Sequence, residues 1–334
     1  MKPDHHIDEP PKEDLQMKLT LSMRTRRQNS YAGACRLIPL VLLMLTSWTT
    51  TFAAESGASA SAGQTSISNK LTFGYRTDAA PFSYQDEAGK PMGYTVAICY
   101  KVIEFIQKEI GDVEVSFVPL TLAERGPALM SGKVDLLCGA DSVTLSRRHA
   151  VSFSLPIFLG GVGALMRSDA EKSLRTVIEG DEPEFRPRWR ASYSDILRQR
   201  TFAVVDGSLT QSWLAGKIDE FKITAETVVV DNYDQGVNAV SSGDVDVFFG
   251  DRPIVLAAAK VDAKTDEIYV VDRQFTFEPI ALTMVRGDDD LRLVVDQTLS
   301  KLYRSGGILQ IYREHFGAPN EDTLKMFLIS GLPD

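Results

Sequence analysis

Metal chemistry is the first class the composition argues against. Three cysteines and four histidines are scattered through 334 residues, with no Cys/His cluster at metal-ligand spacing, so neither a metal nor a cofactor is expected. Basic charge is also in short supply. Lys and Arg number 36 against 45 Asp and Glu, a formal charge of −9, which leaves nothing suited to a nucleic-acid partner. The deficit deepens after residue 53, because the N-terminal segment holds more basic than acidic side chains. Net charge speaks to solubility and not to the sign of a pocket, so a small anionic ligand stays admissible. Neither a Ser-His-Asp order nor a pair of catalytic acids stands out, and no catalytic residue is assigned.

Long apolar runs are missing as well. Leu37 to Ser47, LIPLVLLMLTS, falls short of the about 20 residues that span a bilayer. Arg24, Arg26, Arg27 and Arg36 precede it and TFA, ending at Ala53, follows, which is the layout of a cleavable export signal over 1–53. Its basic region is long enough that translation starting at Met17 or Met23 fits better than Met1. Cys35 precedes the apolar run, against a lipid anchor; an uncleaved membrane anchor is the alternative. Residues 54–69, rich in Ser, Ala and Gly, read as a flexible leader, and export points to the periplasm.

The remaining length, about 280 residues, exceeds one modest core and implies two lobes. From Leu71 the chain reads strand (LTFGYR), turn (APFSY), helix (GYTVAICYKVIEFIQKEI), strand (VEVSFVPL), short helix (LAERGPALMSG), strand. Such alternation builds a mostly parallel sheet, which binds ligands at the carboxyl ends of its strands. The loop after Arg76 and the turn at Gly139 leave from that edge. The stretch DLLCGADSVTLSRRHAVSFS, Asp135 to Ser154, carries the chemistry. An apolar run to Cys138 reads as a buried strand and Gly-Ala-Asp-Ser as a turn; Thr144 caps a short helix bearing Arg147. Backbone N–H groups, the Ser142 hydroxyl and an Arg fork describe a carboxylate site.

GKVDLL, SVTLSRR and AVSFSLPIF together resemble the family 3 extracellular solute-binding proteins, the amino-acid receptors of bacterial ABC importers. R-x-x-x-x-P-F-S-Y (Arg76 to Tyr84), GYTVAIC and CGADSVTLSRR look most like the glutamate/aspartate-binding branch. The resemblance, covering about Leu71 to Gly317, implies a periplasmic-binding-protein type II fold: two α/β lobes, 70–163 with 281–334 and 164–280, joined by two hinge strands around a ligand cleft. It implies that Ser142 and Arg147, with Ala140 beside them, hold the ligand's α-carboxylate. Arg76 would meet the ligand side chain, arguing for an acidic or polar one, and Tyr84 would face the cleft while Phe82 packs in the core. In the second lobe, TFAVVDGSLTQSWLAG offers Ser208 and Thr210 at a helix start, although Leu209 interrupts the family's run there. Asp251 would take the α-ammonium. Tyr233 stands where the acidic-ligand branch often has a histidine, which weakens an assignment to glutamate specifically.

Cys99 and Cys138 are a possible disulfide in an oxidising compartment, or else two buried thiols. Residues 168–200, charged and Pro-bearing, read as a surface insertion with one helix from Tyr193 to Arg198. The expected function is capture of a free amino acid by a monomer and its delivery to a membrane permease. Two alternatives share the scaffold: an exported enzyme like cyclohexadienyl dehydratase, with Glu278 or Asp251 as general acid, and a sensor that presents its liganded form to a signalling partner.

Overall fold

The computed structural model describes residues 67–180, 193–261 and 265–333. The expected export signal, most of the leader and the middle of the 168–200 segment lie outside the described residues. The strands and helices run β1 (Lys70–Arg76), β2 (Asp78–Ala79), β3 (Ser83–Gln85), β4 (Pro91–Met92), α1 (Tyr94–Glu109), β5 (Glu114–Leu120), α2 (Arg125–Met130), β6 (Leu136–Ser142), α3 (Leu145–Arg148) and β7 (Val151–Gly160). Next come β8 (Val162–Arg167), α4 (Lys172–Glu179), α5 (Tyr193–Leu197), β9 (Thr201–Val205), α6 (Leu209–Glu220), β10 (Glu226–Val230), α7 (Tyr233–Ser242), β11 (Val247–Asp251), α8 (Arg252–Ala259) and β12 (Ile268–Val270). The chain then returns through β13 (Glu278–Val285), α9 (Asp289–Ser305), α10 (Gly307–Phe316) and α11 (Glu321–Ser330).

Two five-stranded sheets result, ordered β5-β1-β6-β13-β7 and β10-β9-β11-β8-β12, beside a small β2-β3-β4 sheet. In each large sheet three parallel strands are followed by one that runs the other way, β13 in the first and β8 in the second, with a last strand, β7 or β12, antiparallel to it at the edge. Sequence similarity between SGKVDLLCG and SGDVDVFFG has a matching physical cause. A left-handed glycine, Gly132 or Gly243, ends a helix. Asp135 then accepts the Thr72 N–H (2.7 Å) and its own N–H donates to Thr72 O; Asp246 does the same with Thr201 (2.8 Å). The carboxylate thereby fastens the third strand of each lobe to the first.

Alternation along the second sheet separates its faces. Leu165, Ala203, Val205 and Phe248 belong to the same apolar cluster as the first lobe's core. Ala164, Met166, Phe202, Val204 and Phe249 face the other way, onto Leu174, Ile178 and Leu214. Leu174 and Ile178 sit four apart on α4, so one face of that helix is core. The segment expected to be a surface insertion from residue 168 therefore begins with a packed helix, and α5 ends at Leu197, a residue before the expected end.

The first lobe closes over an aromatic cluster in which Phe82, Tyr94, Phe158, Tyr312 and Phe316 meet edge-on or tilted, except for Phe158 and Tyr312, which stack. Tyr94 and Tyr303 donate from their hydroxyls to the carbonyls of Ile157 and Pro156, both at 2.6 Å, so the rings bury without orphaning their polar ends. Cys99 on α1 and Cys138 on β6 are joined in a disulfide, their Cα atoms 6.3 Å apart.

The chain crosses between the sheets twice, at Gly161 and through 271–277. The crossings touch: a Cβ on Gly161 (φ +156°) would stand 1.8 Å from Thr276 O, so only glycine permits the approach. Phe275 N donates to Val162 O (2.8 Å), Val162 N to Thr276 Oγ1 (2.9 Å), and Gln274 Nε2 to the carbonyls of Gly160 and Thr276 (both 2.9 Å).

Candidate functional site

Arg76, Ser142 and Asp251 stand at the carboxyl ends of β1, β6 and β11, with Arg147 on α3 just after β6. Gly139 to Ser142, expected to be a turn, are instead the buried end of β6, because β13 pairs them from the far side: Asp141 lies opposite Ala281 and Ser142 opposite Ile280. Ala140 and Ser142 are accordingly buried strand residues. Thr144 accepts the Arg147 N–H (3.1 Å) and caps α3, and Arg147 Nη1 donates back to Ser142 O (2.9 Å). With four residues α3 is too short to carry a macrodipole, so Arg147 itself is the source of positive charge here. Burial lowers its pKa; Asp141, Asp251 and Glu278 act to raise it and Arg125 to lower it, and the guanidinium stays charged.

Arg76 is buried at the end of β1. Its N–H donates to Ser83 Oγ (2.8 Å), which in turn donates to Arg76 O (3.0 Å), tying β1 to the small sheet. Its guanidinium meets Asp78, with Nε donating to Oδ1 at 2.9 Å. Tyr84 is half-buried on β3, opposite Asp78 and Met92, whereas Phe82 is fully enclosed by the aromatic cluster.

From the second lobe, Asp251 ends β11. The Tyr233 hydroxyl donates to Asp251 Oδ2 at 2.8 Å. Burial pushes the Asp251 carboxyl above the usual range; the Tyr233 bond, Arg76 and Arg147 pull it back, and Glu278 pushes it further up. The Tyr233 hydroxyl is itself raised well above its ordinary value, by burial first and then by Asp251. Charges on both lobes therefore sense one another across the gap. Ser208 is the N-cap of α6, accepting the Gln211 N–H (3.1 Å), and Thr210 lies buried in the first turn.

Two contributors escaped the sequence, and a third, Glu278, entered it only as a general acid of the alternative enzyme reading. Arg125, read only as part of a short helix, donates from Nε to Asp141 Oδ1 at 2.6 Å. Asp141, read as a turn residue, is buried between the arginines. Glu278 accepts from Thr276 Oγ1 (2.8 Å) where the second crossing rejoins the first sheet. Only the Arg-Gly-Pro start of α2 hinted at the first; Asp141 needed the pairing of β6 with β13. Among the described residues no group of His, Cys, Asp and Glu could hold a metal ion. A cavity of about 680 Å³ lies elsewhere, in the second lobe, lined by Ile178, Phe202, Trp213, Leu214, Phe249 and Phe275 among others.

Two α/β lobes linked by paired crossings, with opposite charges facing across the gap, define the class of two-lobed binding proteins. Within that class, residues 71–318 match the bacterial extracellular solute-binding proteins, family 3, and the chain belongs to that family. It is similar to the L-glutamate/L-aspartate-binding protein of Pseudomonas aeruginosa, 25% identical over 75% of this chain and 77% of the relative. A second relative, the amino-acid-binding protein AabA of Dichelobacter nodosus, is 27% identical over 68% and 80%. The crystal structure of the ancestral amino acid-binding protein AncCDT-1, a precursor of cyclohexadienyl dehydratase, shares the fold, with a TM-score of 0.59 at 24% identity over 74% of this chain and 95% of that one.

Proposed function

We propose that this protein is a periplasmic receptor that captures a free α-amino acid with an acidic or polar side chain and hands it to the permease of an ABC importer. The carrying observation is the pairing of opposite charges from different lobes: Arg147 on one side, Asp251 on the other, each within electrostatic reach of its counterpart. An α-amino acid presents a carboxylate and an ammonium on one carbon, so it bridges such a pair and favours the closed arrangement. Arg147 would hold the carboxylate as a fork, with Ala140 and Ser142 supplying the strand end beside it. Asp251, oriented by Tyr233, would accept the ammonium. Arg76 and Tyr84 would meet the ligand side chain, and Ser208 and Thr210 would approach from the other lobe. Exported through its N-terminal signal, the receptor acts as a monomer.

Binding rather than turnover fits the way the acids are held. Asp251 is engaged by Tyr233 and Glu278 by Thr276, so each already serves as an acceptor within the protein. The experiment is titration calorimetry on protein stripped of retained ligand by unfolding and refolding, against the twenty amino acids and prephenate. Tight binding of an α-amino acid that Arg147→Ala weakens by about a hundredfold or more supports the reading. Silence toward all twenty, or consumption of prephenate, overturns it.

A further inference from the structure

Resting on that reading, the structure assigns the ligand's side chain to a class: we propose that the subsite between Arg76 and Asp141 is built for a neutral carboxamide, as in glutamine or asparagine, and discriminates against a carboxylate. The argument begins with charges already spent. Arg76 is 3% exposed and its ion pair with Asp78 is formed, Nε bonding Oδ1 at 2.9 Å. Arg125 is likewise committed to Asp141, which is 5% exposed. Each buried cation thus has its own buried or half-buried anion. A ligand carboxylate entering here would shed its hydration and find no uncompensated positive charge to replace it.

Two polar atoms remain unpartnered, and they are of opposite kind. Arg76 Nη2 stands 2.8 Å from Asp78 Oδ1 but off the hydrogen-bond direction, so its N–H groups have no acceptor. Asp141 Oδ2 has no donor, its other oxygen being taken by Arg125. Both belong to side chains more than nine-tenths buried, where an unmade bond is costly. Gly139 lets the two side chains lie side by side: a Cβ built there would lie 3.0 Å from Asp141 Oδ2 and 3.7 Å from Arg76 Cγ. Arg76 lies within electrostatic reach of Tyr233 and Asp251 of the other lobe, and Asp141 within reach of Arg147.

One donor and one acceptor, both unmet and charge-balanced overall, are the complement of an amide. The amide oxygen would accept from Arg76 Nη2 and the amide nitrogen would donate to Asp141 Oδ2. A carboxylate can satisfy only the first and sets two lone-pair-bearing anions against each other at the second. A lysine or arginine side chain satisfies only the second and places its charge against Arg76.

The test is calorimetry with L-glutamine, L-asparagine, L-glutamate, L-aspartate and L-arginine on stripped protein. The amides should bind at least about tenfold more tightly than their acids and than arginine, because a polar site rejects a partner that leaves its groups unpaired. In Asp141→Asn, where Arg125 loses its anion and Oδ2 becomes a donor, the amide-to-acid ratio should fall by about tenfold or invert. Asp78→Asn, at a more exposed position, should move the ratio the same way and covers the case in which Asp141→Asn does not fold. Preference for an acid or for arginine in the unaltered protein overturns the assignment, as does a ratio that neither variant changes. Failure of every amino acid to bind would instead overturn the receptor reading beneath it.

Discussion

The two lobes are built on one plan and finished differently. Each has three parallel strands in the same relative order, with an aspartate in the turn before the third strand clamped to the backbone of the first, Asp135 to Thr72 and Asp246 to Thr201. In the first lobe the surplus of stabilising devices is large: a disulfide between α1 and β6, a five-ring aromatic cluster, and two buried ion pairs at the strand ends. The second lobe has no disulfide among its described residues and carries an apolar cavity beneath α4 and α6. The difference teaches where rigidity is wanted. On the proposed reading, the lobe that collects Arg76, Asp141 and Arg147 would hold three charges in fixed register, whereas the other would contribute chiefly Asp251 and move onto the ligand.

The sharpest way to break this comparison is to remove the staple. Replacing both Cys99 and Cys138 by Ser frees a loop of sequence separation 39, for which loop-closure entropy alone gives a loss of about 4 kcal/mol. Thermal unfolding should then show the first lobe melting earlier while the second keeps its transition. A single unshifted transition would mean that the lobes are not unequal in this respect. A smaller effect is expected from Ile178→Ala on α4. Buried apolar truncations cost about 2–5 kcal/mol, and Ile178 already borders a cavity, so the lower end applies, about 2 kcal/mol. Denaturant unfolding would measure it. No loss would mean that α4 is a surface appendage, as the sequence alone suggested.

Local chemistry was legible in the sequence wherever it was self-contained. The alternating strands and helices and the Thr144 cap follow from patterns a few residues long, whereas Arg76 and Asp251 were singled out through a resemblance that runs over most of the chain. What escaped depends on partners far along the chain. Gly139 to Ser142 look like a turn until β13, some 140 residues later, pairs with them. Arg125 looks like a helix decoration until Asp141 is seen to meet it. The α4 helix hid in a charged stretch although Leu174 and Ile178 carry the one-turn spacing of a core face, a signal present but outweighed by its neighbours. Thr210, placed at the ligand by the resemblance, lies buried in the first turn of α6.

The smallest effect separates binding from stability at Asp251, the second-lobe charge on which the proposed reading turns. Burial raises the folded-state pKa of Asp251 above its ordinary value, with Glu278 adding to the shift and the Tyr233 bond only partly opposing it. A folded state that holds a proton more tightly than the unfolded chain loses stability as pH rises. The loss therefore starts near the ordinary Asp pKa of about 3.9 and is complete above the raised folded value. An Asp251→Asn variant removes that loss, so the ligand-free protein should melt slightly higher at neutral pH, by a few degrees at most, and equally at pH below about 3.5. The same variant should lose amino-acid binding, because an amide cannot hold the ammonium as a carboxylate does. Scanning fluorimetry across pH, with and without L-glutamine, reads both at once. In the unaltered protein the ligand-induced rise in Tm should grow through the same pH window, since the ammonium compensates the charge that the empty cleft leaves buried. A rise independent of pH, or a variant that melts lower when empty, would show that Asp251 is a structural acid comparable to Asp246 and not a charge kept in reserve for the ligand.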